Sequence, residues 1–245
     1  MLLGFLATIM LLQITAQSGT AYSQPTLRVV AGKKLVEESR EPIILWHDYG
    51  SFALYRLSPE AWQQLPEEVR SQMQLLDNAQ QLFVGATVIN TQQEVFQQAE
   101  SIAAIRGKTL HLIQFAGPIK GEWLAAVEAT GADLVHYIAN YGYLVWVDSN
   151  SRQQLDRMAR EGAFMQYSMP YRSSLKMGPT LSADRVTANN GDDFVAVTVQ
   201  VYRHDQVNLT KQAIEAMLVE VRNPWESVLN FQTIKGVVRA RDLPT

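Results

Sequence analysis

The chain has 245 residues, a formal net charge of -3, 47% hydrophobic and 18% charged residues, and no cysteine. This is ordinary globular composition, enough for one large domain or two to three small ones. The near-neutral balance argues against a nucleic-acid partner, which calls for a basic patch or stripe. The missing cysteine excludes disulfides, thiolate metal sites and cysteine nucleophiles.

Residues 1–23 read as a signal peptide. Leu2 to Ile14 is apolar apart from Gln13, and Ala21-Tyr22-Ser23 sets small residues at the two positions a signal peptidase needs. Cleavage then falls before Gln24, and the mature chain is secreted, meeting a membrane only during export. The n-region carries no Lys or Arg, so a lipid-facing anchor or a buried N-terminal helix stays open. The apolar run is shorter than the roughly 20 residues a spanning helix needs.

Residues 24–106 read as a small α+β module. Pro25 to Ser39 is an extended lead-in. Ile43 to Trp46 and Phe52 to Leu57 are strand-like, joined by a hairpin connection through Asp48 and Gly50. Ser58 is a helix N-cap with Pro59 at the first helical position, and Pro66 breaks or restarts that helix. Strand character resumes at Leu82 to Val84 and Ala86 to Ile89 around Gly85. Gln92 to Ile105 is a short helix or a linker.

Residues 107–180 show the clearest order. A strand, Thr109 to Phe115, precedes a helix, Glu122 to Thr130, that stops at Gly131. Strands Ala132 to Ile138 and Tyr143 to Val147 are joined through Asn140-Tyr141-Gly142. A second helix, Ser151 to Arg160, opens on a capping box from Ser151 to Gln154 and stops at Gly162. The strand Ala163 to Tyr167 closes the unit. This βαββαβ order is that of a ferredoxin-like unit.

In that fold both helices cover one face of the sheet, and an open second face should be polar at alternate residues. The inner strands are apolar on both faces instead. Ile113 and Phe115 of the first strand, with Leu144 and Trp146 of the third, form the expected docking face. It is covered either by a neighbouring module of the chain or by a partner domain.

Residues 181–193 read as a linker and 194–245 as an incomplete second ferredoxin-like unit. Phe194 to Tyr202 alternates as a strand with one buried face. Asn208 caps a helix ending near Asn223-Pro224. Val228 to Ile234 and Val237 to Ala240 are short strands turning at Lys235-Gly236. The order strand, helix, strand, strand leaves out the second helix and last strand, so the chain is expected to be cut short. The bland alternative is a complete small three-stranded module.

No active site is legible. His47, His111, His136 and His204 have no partner at metal-ligand spacing, and no nucleophile elbow, phosphate loop or dinucleotide fingerprint occurs. No catalytic, cofactor-binding or metal residue is therefore assigned. Asn208-Leu209-Thr210 is a glycosylation sequon of low specificity.

Several runs carry a resemblance: Leu112 to Ile119 (LIQFAGPI), Glu122 to Ala132 (EWLAAVEATGA), Asn140 to Val145 (NYGYLV), Tyr167 to Arg172 (YSMPYR) with Lys176, and Asp48 to Leu54 (DYGSFAL). They resemble the region preceding the catalytic domain in secreted bacterial subtilisin-like serine peptidases. The likeness extends over most of residues 43–245, and its motifs are structural. It implies a folding assistant and temporary inhibitor whose sheet packs on the peptidase domain, in cis downstream or in trans. The family's triad motifs, D-[ST]-G, H-G-T and G-T-S-M-A, are absent, so no reaction is carried over and no cofactor is implied. The other class of reading is a stand-alone secreted protein-interaction module.

Overall fold

The structure is a computed structural model, and it describes residues 26–34, 43–76, 78–85, 87–92, 107–178, 181 and 192–243. The expected signal peptide, most of the expected 181–193 linker and the Gln-rich stretch after Gln92 lie outside the described residues. The fold is α+β, with several small antiparallel sheets and few helices. The chain divides into two compact units at Leu75/Leu76.

The first unit is a four-stranded sheet of order β2-β3-β1-β4, from β1 (Leu27–Ala31), β2 (Ile44–Asp48), β3 (Ala53–Leu57) and β4 (Gln74–Leu75). The expected lead-in segment is thus partly an inner strand. Its register sets Val29 against Tyr55 and Ala31 against Ala53. This face packs on Ala61 and Leu65 from the helical stretch that follows. Ser58 caps α1 (Pro59–Gln64) by accepting from the Ala61 N–H at 3.1 Å. Pro66 separates α1 from the single turn α2 (Glu67–Arg70), because its ring cannot continue a helix. On the opposite sheet face, the Arg56 guanidinium lies 4.0 Å from the Trp46 ring centroid. Burial lowers the pKa of Arg56.

The second unit contains the hairpin β5 (Gln81–Val84) and β6 (Thr87–Asn90), then the predicted βαββαβ run. That run comprises β7 (Thr109–Phe115), α3 (Gly121–Glu128), β8 (Asp133–Ile138), β9 (Gly142–Val147), α4 (Ser149–Glu161) and β10 (Met165–Pro170). The sheet order β10-β7-β9-β8 is the 4-1-3-2 arrangement of a ferredoxin-like unit. In the three-residue connection between the paired Ile138 and Gly142, Asn140 and Tyr141 both take positive φ, 66° and 67°. Gly162 ends α4 in the left-handed conformation at φ 64°.

The cap of α4 differs from the expected capping box. Asp148 is the N-cap and accepts from the Ser151 N–H at 2.8 Å. That bond holds the Asp148 carboxyl below the usual carboxylate range. Ser151 lies inside the helix, buried, and donates to the Thr130 carbonyl at the end of α3.

A three-stranded sheet of order β11-β13-β12 follows a single turn α5 (Ser173–Lys176). It comprises β11 (Phe194–Tyr202), α6 (Val207–Met217), β12 (Glu220–Val228) and β13 (Phe231–Arg239). The order 1-3-2 matches the central unit without its fourth strand. Three details differ from expectation. Gln206, not Asn208, precedes α6, and α6 ends at Met217, so Val221 belongs to a strand. Pro224 sits in β12, an edge strand with register shifts at Val221/Asn223 and Asn223/Glu226, where a missing N–H is tolerated. The turn falls after Val228, and β13 runs straight through Lys235-Gly236.

Candidate functional site

The register of the central sheet decides which residues share a face. Directly opposed residues of an antiparallel pair point the same way. Leu112 opposes Leu144, Leu110 opposes Trp146, and Ile113 opposes Tyr143. Ile113 and Phe115 therefore lie on the face opposite to Leu144 and Trp146, and the four expected docking residues do not form one surface. Alternation fixed the pairs within each strand, but register joins the pairs across strands.

Ile113 and Phe115 are fully buried on the helix side. Phe115 stacks on Trp123 of α3 at 6.0 Å and on Phe164 at 6.4 Å. The other face is closed in part by the β5–β6 hairpin. Leu82, Val84 and Ile89 pack with Leu112, Tyr167 and Met169 in one buried cluster. The sequence boundary at residue 106 assigned this hairpin to the leading module, but it packs on the central sheet. Burying each such aliphatic side chain is worth about 1.5–3 kcal/mol as an upper bound.

Polar bonds hold the hairpin at one position. The Gln114 side chain is fully buried. Its Oε1 accepts from Thr91 Oγ1 at 2.8 Å and from Gln166 Nε2 at 2.5 Å. Its Nε2 donates to the carbonyls of Asn140 at 2.8 Å and Gln81 at 3.2 Å. Gly142 lies directly beneath the hairpin. A Cβ there would meet Leu82 Cδ2 at 2.5 Å and Ile138 Cβ at 3.0 Å.

On the helix side, His111, Ser168 and Asp156 come together, a cluster the sequence did not reveal. His111 Nε2 is 2.7 Å from Ser168 Oγ, which donates to Asp156 Oδ1 at 2.7 Å. The order of groups differs from that of a Ser-His-Asp triad, in which the imidazole stands between hydroxyl and carboxylate. Here the hydroxyl stands between, and His111 Nδ1 has no partner among the described residues. The imidazole is 1% exposed, so no substrate reaches it. Burial lowers the His111 pKa, against the pull of Asp156, and Arg152 lowers it further. For Asp156, burial raises the pKa, but the hydrogen bonds from His111 and Ser168 prevail and leave it lowered. No His, Asp and Glu grouping fit to hold a metal occurs among the described residues.

A cleft of about 830 Å³ lies between the central sheet and β11. Leu110 and Trp146 line one wall, and Val199 to Gln206 with Thr210 and Ile214 line the other. Trp146 lies 4.8 Å from the His204 ring and 5.8 Å from Tyr202. The last expected docking residue is thus engaged by the chain's own second sheet. Lys108, Asp133, Lys176 and Asp205 also line the cleft. Lys108 bonds Asp133 at 2.9 Å, whereas Lys176 has no ion-pair partner among the described residues.

Residues 63–172 match the family model of a domain of unknown function, DUF8729. The DUF8729 stretch begins within α1 and ends just past β10, so it contains the hairpin and the whole central unit. No curated protein and no solved structure matches the chain.

Proposed function

We propose that this chain is a non-catalytic region accompanying a secreted subtilisin-like serine endopeptidase, acting on that domain as folding assistant, inhibitor or accessory docking region. One observation carries the reading: the segments bearing the resemblance are those that build the ferredoxin-like unit. Leu112 to Ile119 covers most of β7 and its exit, Glu122 to Ala132 covers α3 and its glycine stop, and Asn140 to Val145 turns β8 into β9. The test is a titration of the full chain against a subtilisin-type peptidase with a chromogenic peptide substrate. A parallel measurement follows recovery of activity when the denatured catalytic domain refolds. Inhibition that decays as the chain is cut, or a raised refolding yield, supports the reading. A chain inert in both assays discards it.

The partly closed second face favours a different reading in one respect. A sheet face already taken in part by its own hairpin offers a peptidase only the remainder, around Leu110 and Trp146. A stand-alone secreted module that binds partners through a sheet edge accommodates this feature directly.

A further inference from the structure

In the three-stranded sheet, β11 pairs with β13 along one edge, and no strand pairs with its other edge among the described residues. The alternation of its backbone groups follows from the ends of the ladder. Ala240 N–H donates to the Asp193 carbonyl, and Arg203 N–H to the Asn230 carbonyl. With the uninterrupted register between them, the odd-numbered residues of β11 point their N–H and C=O groups at β13. Phe194, Ala196, Thr198, Gln200 and Tyr202 point theirs outward. Phe194 is 63% exposed, and Ala196, Thr198 and Gln200 are exposed too.

Such an edge is a template for another strand unless proline, charge or a covering element blunts it. The β11 sequence, FVAVTVQVY, contains no charge and no proline. The central unit provides the internal pattern for what fits, because β7, the equivalent strand, is paired on that side by antiparallel β10. The cleft borders the second half of β11 and provides room beside it. Lys176 and Arg203 on its lining exceed the nearby Asp205 in charge once Lys108 and Asp133 are paired.

We propose that the outer edge of β11 binds an extended segment of a protein partner as a fourth, antiparallel strand. The segment alternates apolar residues over Val195, Val197, Val199 and Val201 with polar ones on the other face, and carries an acidic residue toward Lys176 and Arg203. Main-chain hydrogen bonds hold such a strand and alternate side chains select it. The inference deepens the protein-binding reading and does not depend on the partner being a peptidase. Failure of the inhibition and refolding assays leaves it standing.

The probe is a fluorescein-labelled peptide, acetyl-Glu-Val-Thr-Val-Thr-Val-Glu-amide, titrated with the full chain and followed by anisotropy. Saturable binding is expected, with amide exchange slowed at Ala196, Thr198 and Gln200. Thr198→Pro removes an outward N–H without touching the β13 ladder and should weaken binding about tenfold or more. N-methylation of the peptide at the amides facing β11 should do the same with the protein unaltered, so a folding defect in the variant does not decide the matter. Lys176→Glu should weaken binding at low salt. Absence of binding, or binding indifferent to N-methylation, overturns the proposal. A chain that doubles its own mass, and loses the doubling with Thr198→Pro, also overturns it by giving the edge to a second copy.

Discussion

At the scale of single residues, His111 is the group whose protonation folding opposes most directly. Its pKa is lowered in the folded chain by burial, while an unfolded imidazole titrates at about 6.5. Below that value the unfolded chain takes up a proton that the folded chain refuses. Stability is therefore full above the unfolded pKa and falls as pH drops from there toward the folded pKa. Asp156 acts lower on the scale: its lowered pKa contributes stability that is lost only as pH falls through the carboxylate range. Urea midpoints across pH 7 to 3 should show two descending steps, and His111→Gln should remove the upper one. A single step in the carboxylate range for the unaltered chain would contradict this account.

At the scale of elements, the hairpin and the central sheet are joined by few groups, each of which is costly to lose. Gln114→Leu leaves the Asn140 carbonyl without its donor, while Thr91 Oγ1 keeps its bond to the Gln80 carbonyl, and the loss should cost about 1–3 kcal/mol in denaturant unfolding. Gly142→Ala drives a methyl into Leu82 and should cost about 1–3 kcal/mol. These contacts show what the sequence could and could not disclose. The 4-1-3-2 unit was legible because Gly131, Gly162 and Asn140 mark its stops and turn with residues that left-handed backbone favours. The composition of each sheet face was not, because a strand's alternation is silent on its neighbour's register. The closing turn of the last sheet was missed for a local reason. Leu229 takes φ 53° there, and Asn230 is the one usual turn residue in the pair, with no glycine beside it. Gly236, which resembles a turn residue, is needed inside a strand, because a Cβ there would meet the Glu220 carbonyl oxygen at 2.6 Å. The His111 cluster joins residues 57 apart in sequence and left no motif.

At the scale of the whole molecule, the second unit consists of two related sheets of unequal completeness. The central sheet has helices on one side and the hairpin on the other, whereas β12 is exposed along all of its length except Trp225. Trp146 is an aromatic link between the two sheets, so Trp146→Ala should speed amide exchange in β11 and α6 while leaving β7 and β9 protected. Equal exchange rates in β11 before and after the substitution would show that the ring contributes nothing to that link. The position of the hairpin has a consequence for how the chain folds. A slip of β9 by one residue against β7 would bring a tyrosine, 141 or 143, under Leu82 in place of Gly142, and would turn the apolar residues of β9 to the wrong sides. The hairpin could not then settle. It fits only over a correctly aligned sheet, so the packing of the hairpin adds its own cost to any misregistered pairing of β9.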